Sequence, residues 1–196
     1  MQRSKRSSKF AVAVACSAFF ALVPATAETS KPSLPSGKKS IVLVTHNGKE
    51  TTIGHVVFVP SGDATKFEVV LDTNVLTDNF LSMRNFQCLQ GIKRQWCHLP
   101  YPYETHGTIK AGDLTDLEYS LMFLWRTFDR VSADAWNGLY FKLAFGPDGS
   151  ISGPVNDADF NVMASPPIEK FARPVSYRDL TPVTPGSQEW DKIEIR

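Results

Sequence analysis

Phe80–Glu104, FLSMRNFQCLQGIKRQWCHLPYPYE, decides how the chain is read. It holds Cys88 and Cys97, a hairpin pattern, and a loop of alternating proline and tyrosine. If Asn85–Gln90 and Gln95–Pro100 are strands joined by Gly91–Arg94, Cys88 stands opposite Cys97. Leu89 then faces Trp96, and Gln90 faces Gln95. Opposed residues that lack mutual hydrogen bonds have Cα atoms about 4.5 Å apart, which a disulfide spans. Closing so short a loop stabilises by roughly 2–3 kcal/mol in the chain-entropy account. The bond persists only in an oxidising compartment, so the N-terminus has to be read with it.

Residues 1–27 read as a secretory signal peptide. Arg3, Lys5, Arg6 and Lys9 form a basic start, Phe10–Val23 is apolar, and Ala25-Thr26-Ala27 is a small-x-small cleavage site. The apolar run is short for a membrane span and is followed by Pro24, which argues against a retained anchor. A lipoprotein cut before Cys16 fits poorly, because it leaves Phe19, Phe20, Leu22 and Val23 on the mature end. With Cys16 removed in the leader, two of the three cysteines remain and can pair.

The chain carries 21 basic and 20 acidic residues, and four of the basic ones lie in the leader. The mature chain from Glu28 therefore has 17 basic against 20 acidic residues. Mild acidity without a basic block argues against nucleic acid and anionic membranes as partners. No stable membrane insertion is expected after leader cleavage. A mature length of 169 residues suits one domain with a proper core.

Residues 28–39 form a polar lead-in that reads as flexible. Ser40–His46, Asn47-Gly48 and Glu50–Val59 read as a hairpin with a two-residue turn, both turn positions at positive φ. Alternation then places Ile53, His55, Val57 and Val59 on one face. Lys66–Asp72 is a third strand, and Thr73–Asn79 reads as a loop. Asp113 is an N-cap for an amphipathic helix with Leu114, Leu117, Leu121 and Leu124 on one stripe. Arg126 and Arg130 fall near the C-terminal end of that helix, where its dipole favours cations. Leu139–Phe145 and Ser150–Val155 make a further hairpin. Residues 165–196 form a proline-rich tail, in which Lys192–Ile195 is the one segment that could add an edge strand. The expected fold is α+β: a mainly antiparallel β-sheet over residues 40–164, curved into a sandwich or partial barrel and covered by one amphipathic helix.

CHLPYPYE, DLTDLEYSLMFLW and WNGLYF together resemble an uncharacterised family of secreted bacterial proteins, over residues 66–167. The resemblance implies secretion and a single domain, and it carries over no catalytic residue.

Among possible sites, Trp96, His98, Tyr101 and Tyr103 combine aromatic faces with polar tips on a stiff loop. That combination suits a sugar or peptide surface, or else rings that pin the hairpin against the helix. Glu104 and His106 with Asp157 or Asp159 are the candidate acid and base of a small hydrolase acting on an envelope polymer. Metal ligation by His98 and His106, with Cys88, Cys97 or Glu104, matches no zinc spacing, and His46 with His55 is too few ligands. No metal or cofactor is expected. A redox role for Cys88 and Cys97 lacks the C-x-x-C spacing. The expected function is a non-catalytic periplasmic or secreted binding module that contacts an envelope component, protein or glycan.

Mass spectrometry of the exported protein under non-reducing conditions is expected to find Glu28 at the N-terminus and no thiol open to alkylation. Two free thiols or an intact leader would refute the compartment and the staple together.

Overall fold

The computed structural model describes residues 33–196; the expected signal peptide, residues 1–27, and the expected lead-in up to residue 32 lie outside the described residues. In chain order the strands are β1 (Gly37–Val44), β2 (Glu50–Ser61), β3 (Ala64–Leu71), β4 (Leu76–Leu81), β5 (Arg84–Gln90), β6 (Arg94–His98) and β7 (Thr108–Ile109). After the short helix α1 (Thr115–Tyr119) come β8 (Phe123–Thr127), β9 (Gly138–Phe141), β10 (Ala144–Phe145), β11 (Ile151–Ala158), β12 (Thr181–Pro182) and β13 (Lys192–Ile195). Among the described residues every pairing between named strands is antiparallel. They form one open sheet in the order β4-β5-β6-β8-β9-β11-β13-β1-β2-β3-β7, with β10 and β12 also on β11.

The stapled hairpin has the register read from the cysteine spacing: Cys88 faces Cys97, Leu89 faces Trp96 and Gln90 faces Gln95. The two cysteines are disulfide-bonded, with Cα atoms 3.9 Å apart. Alternation sends the two residue types of this hairpin to opposite faces, and both faces are buried. Leu89 and Trp96 join one apolar cluster with Phe123, Leu139 and Phe141. Cys88 and Cys97 join a second with Leu124, Tyr140, Phe160 and Met163. A strand covered on both sides needs apolar residues at every position, which explains the unbroken run from Leu139 to Phe141.

Four main expectations, and two smaller ones beside them, are corrected. First, the amphipathic helix shrinks to the five residues of α1, and Phe123–Thr127 is strand β8 between β6 and β9. The Ser120 hydroxyl donates back to the Asp116 carbonyl at the end of α1, and the aromatic residues that follow suit a pleated strand better than a helix. Arg126 and Arg130 therefore cap no helix; the Arg126 guanidinium donates to the carbonyls of Thr127 and Arg130.

Second, residues 76–79 belong to strand β4, which runs to Leu81 and pairs along β5. The turn between them has Ser82 at φ 46° and Met83 at φ 66°, a primed turn made without the usual Asn or Gly. Third, β2 switches face midway. Ile41 pairs with Gly54 and Val42 with Thr52, which leaves Ile53 as the extra residue of a bulge. Beyond it Val56 and Phe58 are buried, while His55 and Val57 are half-buried and Val59 is exposed. Gly54 is required there, because a Cβ would stand 2.2 Å from the Val70 carbonyl oxygen. At the neighbouring turn only Gly48 has positive φ, and Thr45 closes the loop on Lys49.

Fourth, the tail is part of the domain. β13 is no edge strand; it lies between β1 and β11 and pairs over four residues with each. Ile193 and Ile195 are 0% and 1% exposed, and both belong to the first cluster. The flexible lead-in also ends early, since Gly37–Lys39 already pair with β2. Ile193→Ala is expected to cost about 3–4 kcal/mol, the scale of a core cavity, in urea denaturation. A loss under about 1 kcal/mol is what a solvated edge strand would give.

Candidate functional site

Of the four aromatic and histidine candidates, three come together and one does not. Trp96 is wholly buried, with its ring 5.0 Å from Trp190 in an edge contact and 6.1 Å from Phe123. It packs the core and offers no surface. His98, Tyr101 and Tyr103 line a cleft of about 400 Å³ together with Phe67, Val69 and Leu71 of β3. Gln87, Pro100, Thr105, Gly107 and Ser120 complete the lining.

The geometry of the cleft follows from how its loop is tied down. Leaving β6, the chain passes through Pro100 and Pro102, which hold it extended. The Tyr101 hydroxyl donates to the Ala172 carbonyl at 2.7 Å, and the Tyr103 hydroxyl donates to the Met163 carbonyl at 3.0 Å. Their rings meet edge to face at 5.4 Å, and Tyr101 meets Tyr119 at 4.7 Å. Both phenols are thus fixed by the 160–177 segment and present ring surface to the cleft. His98 Nε2 lies 3.0 Å from the Ser120 carbonyl, so it must carry the proton and donate. Burial holds this imidazole below its ordinary value, outweighing that hydrogen bond, so the ring is neutral at pH 7. Nδ1 is then a free acceptor, with no partner among the described residues.

The segment that fixes the tyrosines is itself anchored by α1. Asp116, 1% exposed, pairs with the Arg173 guanidinium, whose Nε donates to it at 2.7 Å. Val175 N–H donates to the Tyr119 hydroxyl at 2.7 Å. Glu118, also 1% exposed, accepts from the Tyr177 hydroxyl at 2.7 Å, the Tyr140 hydroxyl at 2.5 Å and the Leu143 amide at 2.7 Å. Leu143 lies where the chain breaks between β9 and β10, so the carboxylate satisfies an amide the ladder leaves over. Burial raises the Glu118 carboxyl despite these three donors. Burial and the carboxylate neighbour push the Tyr177 phenol up to about 12. The sequence reading missed this network because Asp116 and Glu118 look like ordinary acidic residues at a helix start. Thr115 N–H, rather than a longer helix, takes up the Asp113 side chain at 3.0 Å.

The proposed acid and base residues each engage elsewhere. Glu104 pairs with Lys170 at the surface, and His106 stacks on Phe171 at 4.1 Å. Asp157 accepts from Gln188 at 3.5 Å, and Asp159 caps the turn Phe160–Met163 through Asn161 N–H. His46 meets Asp191 at 3.0 Å, while His55 lies within β2 opposite Ser40 and Val70. Among the described residues no three His, Cys, Asp or Glu side chains gather as a ligand set. No described helix is long and apolar enough to cross a membrane.

Glu118 gives the fold a pH signature. A carboxyl raised above its unfolded value contributes stability that is complete below that unfolded value and is lost as pH rises through the raised one. Wild-type protein is therefore expected to lose stability relative to Glu118→Gln as pH rises above the ordinary glutamate range, about 4. Urea midpoints at rising pH measure it, and a difference independent of pH would refute the raised carboxyl.

No family model, curated protein or solved structure matches the chain, so the cleft is read from its own geometry.

Proposed function

We propose that this is a non-catalytic binding module, exported to the periplasm or secreted, that takes part of an envelope component into the cleft between β3 and the 98–107 segment. The observation that carries the proposal is the preorganised lining. Two tyrosine rings are pinned by their own hydroxyls, a neutral histidine offers one unsatisfied acceptor, and an apolar strand face lies opposite. Rings held in place before the ligand arrives lose little entropy on binding, and their faces suit a neutral partner with both apolar and polar surface. The volume is within the range of small-ligand sites. The buried disulfide and the resemblance to secreted proteins support the oxidising location.

We also read the sheet as rolled into a partial barrel. One apolar cluster draws Leu76 and Leu89 from one end of the strand order, and Phe58 and Ile109 from the other. That curvature brings β3 and the end of β6 to the same cleft.

Thr105→Trp fills the cleft and leaves both tyrosine anchors in place. Recovery of partners from an envelope extract is expected to fall at least tenfold with this variant relative to wild type. Equal recovery by the two forms would remove the cleft as the binding surface.

A further inference from the structure

The cleft has a main-chain wall as well as side chains. Along β3 the hydrogen-bonding direction alternates. Asp72 N–H donates to Ile53 on the β2 side, and Phe67 N–H donates to Gly107 on the opposite side. Residues 67, 69 and 71 therefore direct their amide and carbonyl groups away from β2. β7 covers only Thr65 and Lys66 of this edge, and the chain before Gly107 then stands off to form the cleft. The Phe67 carbonyl, both main-chain groups of Val69 and the Leu71 amide have no partner among the described residues.

Exposed edges are normally blunted by charge, proline or a covering element. Here the side chains in the edge phase are Phe67, Val69 and Leu71, which are half-buried against the core. Lys66, Glu68 and Val70 point the other way, into solvent.

From this edge we infer that the occupant of the cleft is an extended, uncharged peptide segment that adds a short strand to β3 opposite Phe67–Leu71. This rests on the binding reading given above and specifies its ligand. An acceptor, donor, acceptor and donor repeated along three residues match a peptide backbone, whereas a glycan has no such alternation. One row of the peptide's side chains would lie between the β3 face and the rings of Tyr101 and Tyr103. His98 Nδ1 would accept a hydrogen bond from a polar group at the end of the segment.

The test pans a displayed random heptapeptide library on the purified, disulfide-bonded protein, then measures the selected peptides as synthetic, end-blocked probes. The selected peptides are expected to be uncharged with alternate apolar residues, and to slow hydrogen exchange of the Val69 and Leu71 amides at least tenfold. N-methylation of alternate residues in one phase should abolish binding, and in the other phase leave it unchanged. Val69→Pro removes one outward donor without touching the β2 ladder, and should weaken binding about fivefold, the worth of one hydrogen bond. N-methylated probes test the same contact on the unaltered protein. No selected peptide, or peptides that leave Val69 and Leu71 exchange unchanged, would overturn the inference. A parallel arm uses N-acetylglucosamine oligomers and a fragment library, read by amide shifts of residues 98–107. Shifts there without any peptide binder would overturn the peptide and leave the binding module standing; silence in both arms would remove both.

Discussion

The fold depends on a four-residue strand at the end of the chain. Among the described residues β13 is the link between two halves of the sheet, β4-β5-β6-β8-β9-β11 on one side and β1-β2-β3-β7 on the other. Its approach is guided by Trp190 against Trp96, by Asp191 N–H on the Val44 carbonyl, and by Val155 N–H on the Asp191 carbonyl. Before it, Glu189 accepts from Ile92 N–H and Gln188 from Arg94, which seats the tail on the tip of the stapled hairpin. Ladder partners so distant in sequence make closure entropically costly, and the early disulfide offsets part of that by fixing β5 against β6.

The cleft is a product of the same arrangement. The 172–177 segment crosses α1 on the way to β12, and three side chains of one helical turn hold it: Asp116 by charge, Tyr119 by hydroxyl and Glu118 through Tyr177. A buried carboxylate such as Asp116 is tolerable only when paired, so Arg173 is fixed by the cost of leaving it alone. Fixing Arg173 fixes Ala172, whose carbonyl holds Tyr101. The stiffness of the aromatic wall is thus set by buried polar contacts some 70 residues downstream of it.

How far these features could be read from the chain depended on whether the signal was local. Cys88 and Cys97 announced their register because eight intervening residues leave one sensible way to bring them face to face. The hairpin at Ser82-Met83 was hidden, because its residues are not those that favour positive φ. Leu114, Leu117, Leu121 and Leu124 keep a helical period, yet Leu124 lies on a strand and faces the second cluster. Periodicity over so few residues cannot tell a helix from a helical turn followed by a buried strand. The face switch at Gly54 was equally silent, since a bulge is recognised by the strand across from it.

The amino-acid sequence by itself determined the local and pairwise facts: β-rich strands, the Cys88–Cys97 pairing, and a rigid loop carrying Tyr101 and Tyr103. Tertiary structure alone decided that Trp96 is core while His98 borders a cleft, that Glu118 and Asp116 are buried anchors, and that Lys192–Ile195 is central. Each of those outcomes depends on which distant segment supplies the opposite wall or the hydrogen-bond partner. Burial and charge pairing are properties of that neighbour as much as of the residue itself, and no window of the chain contains both.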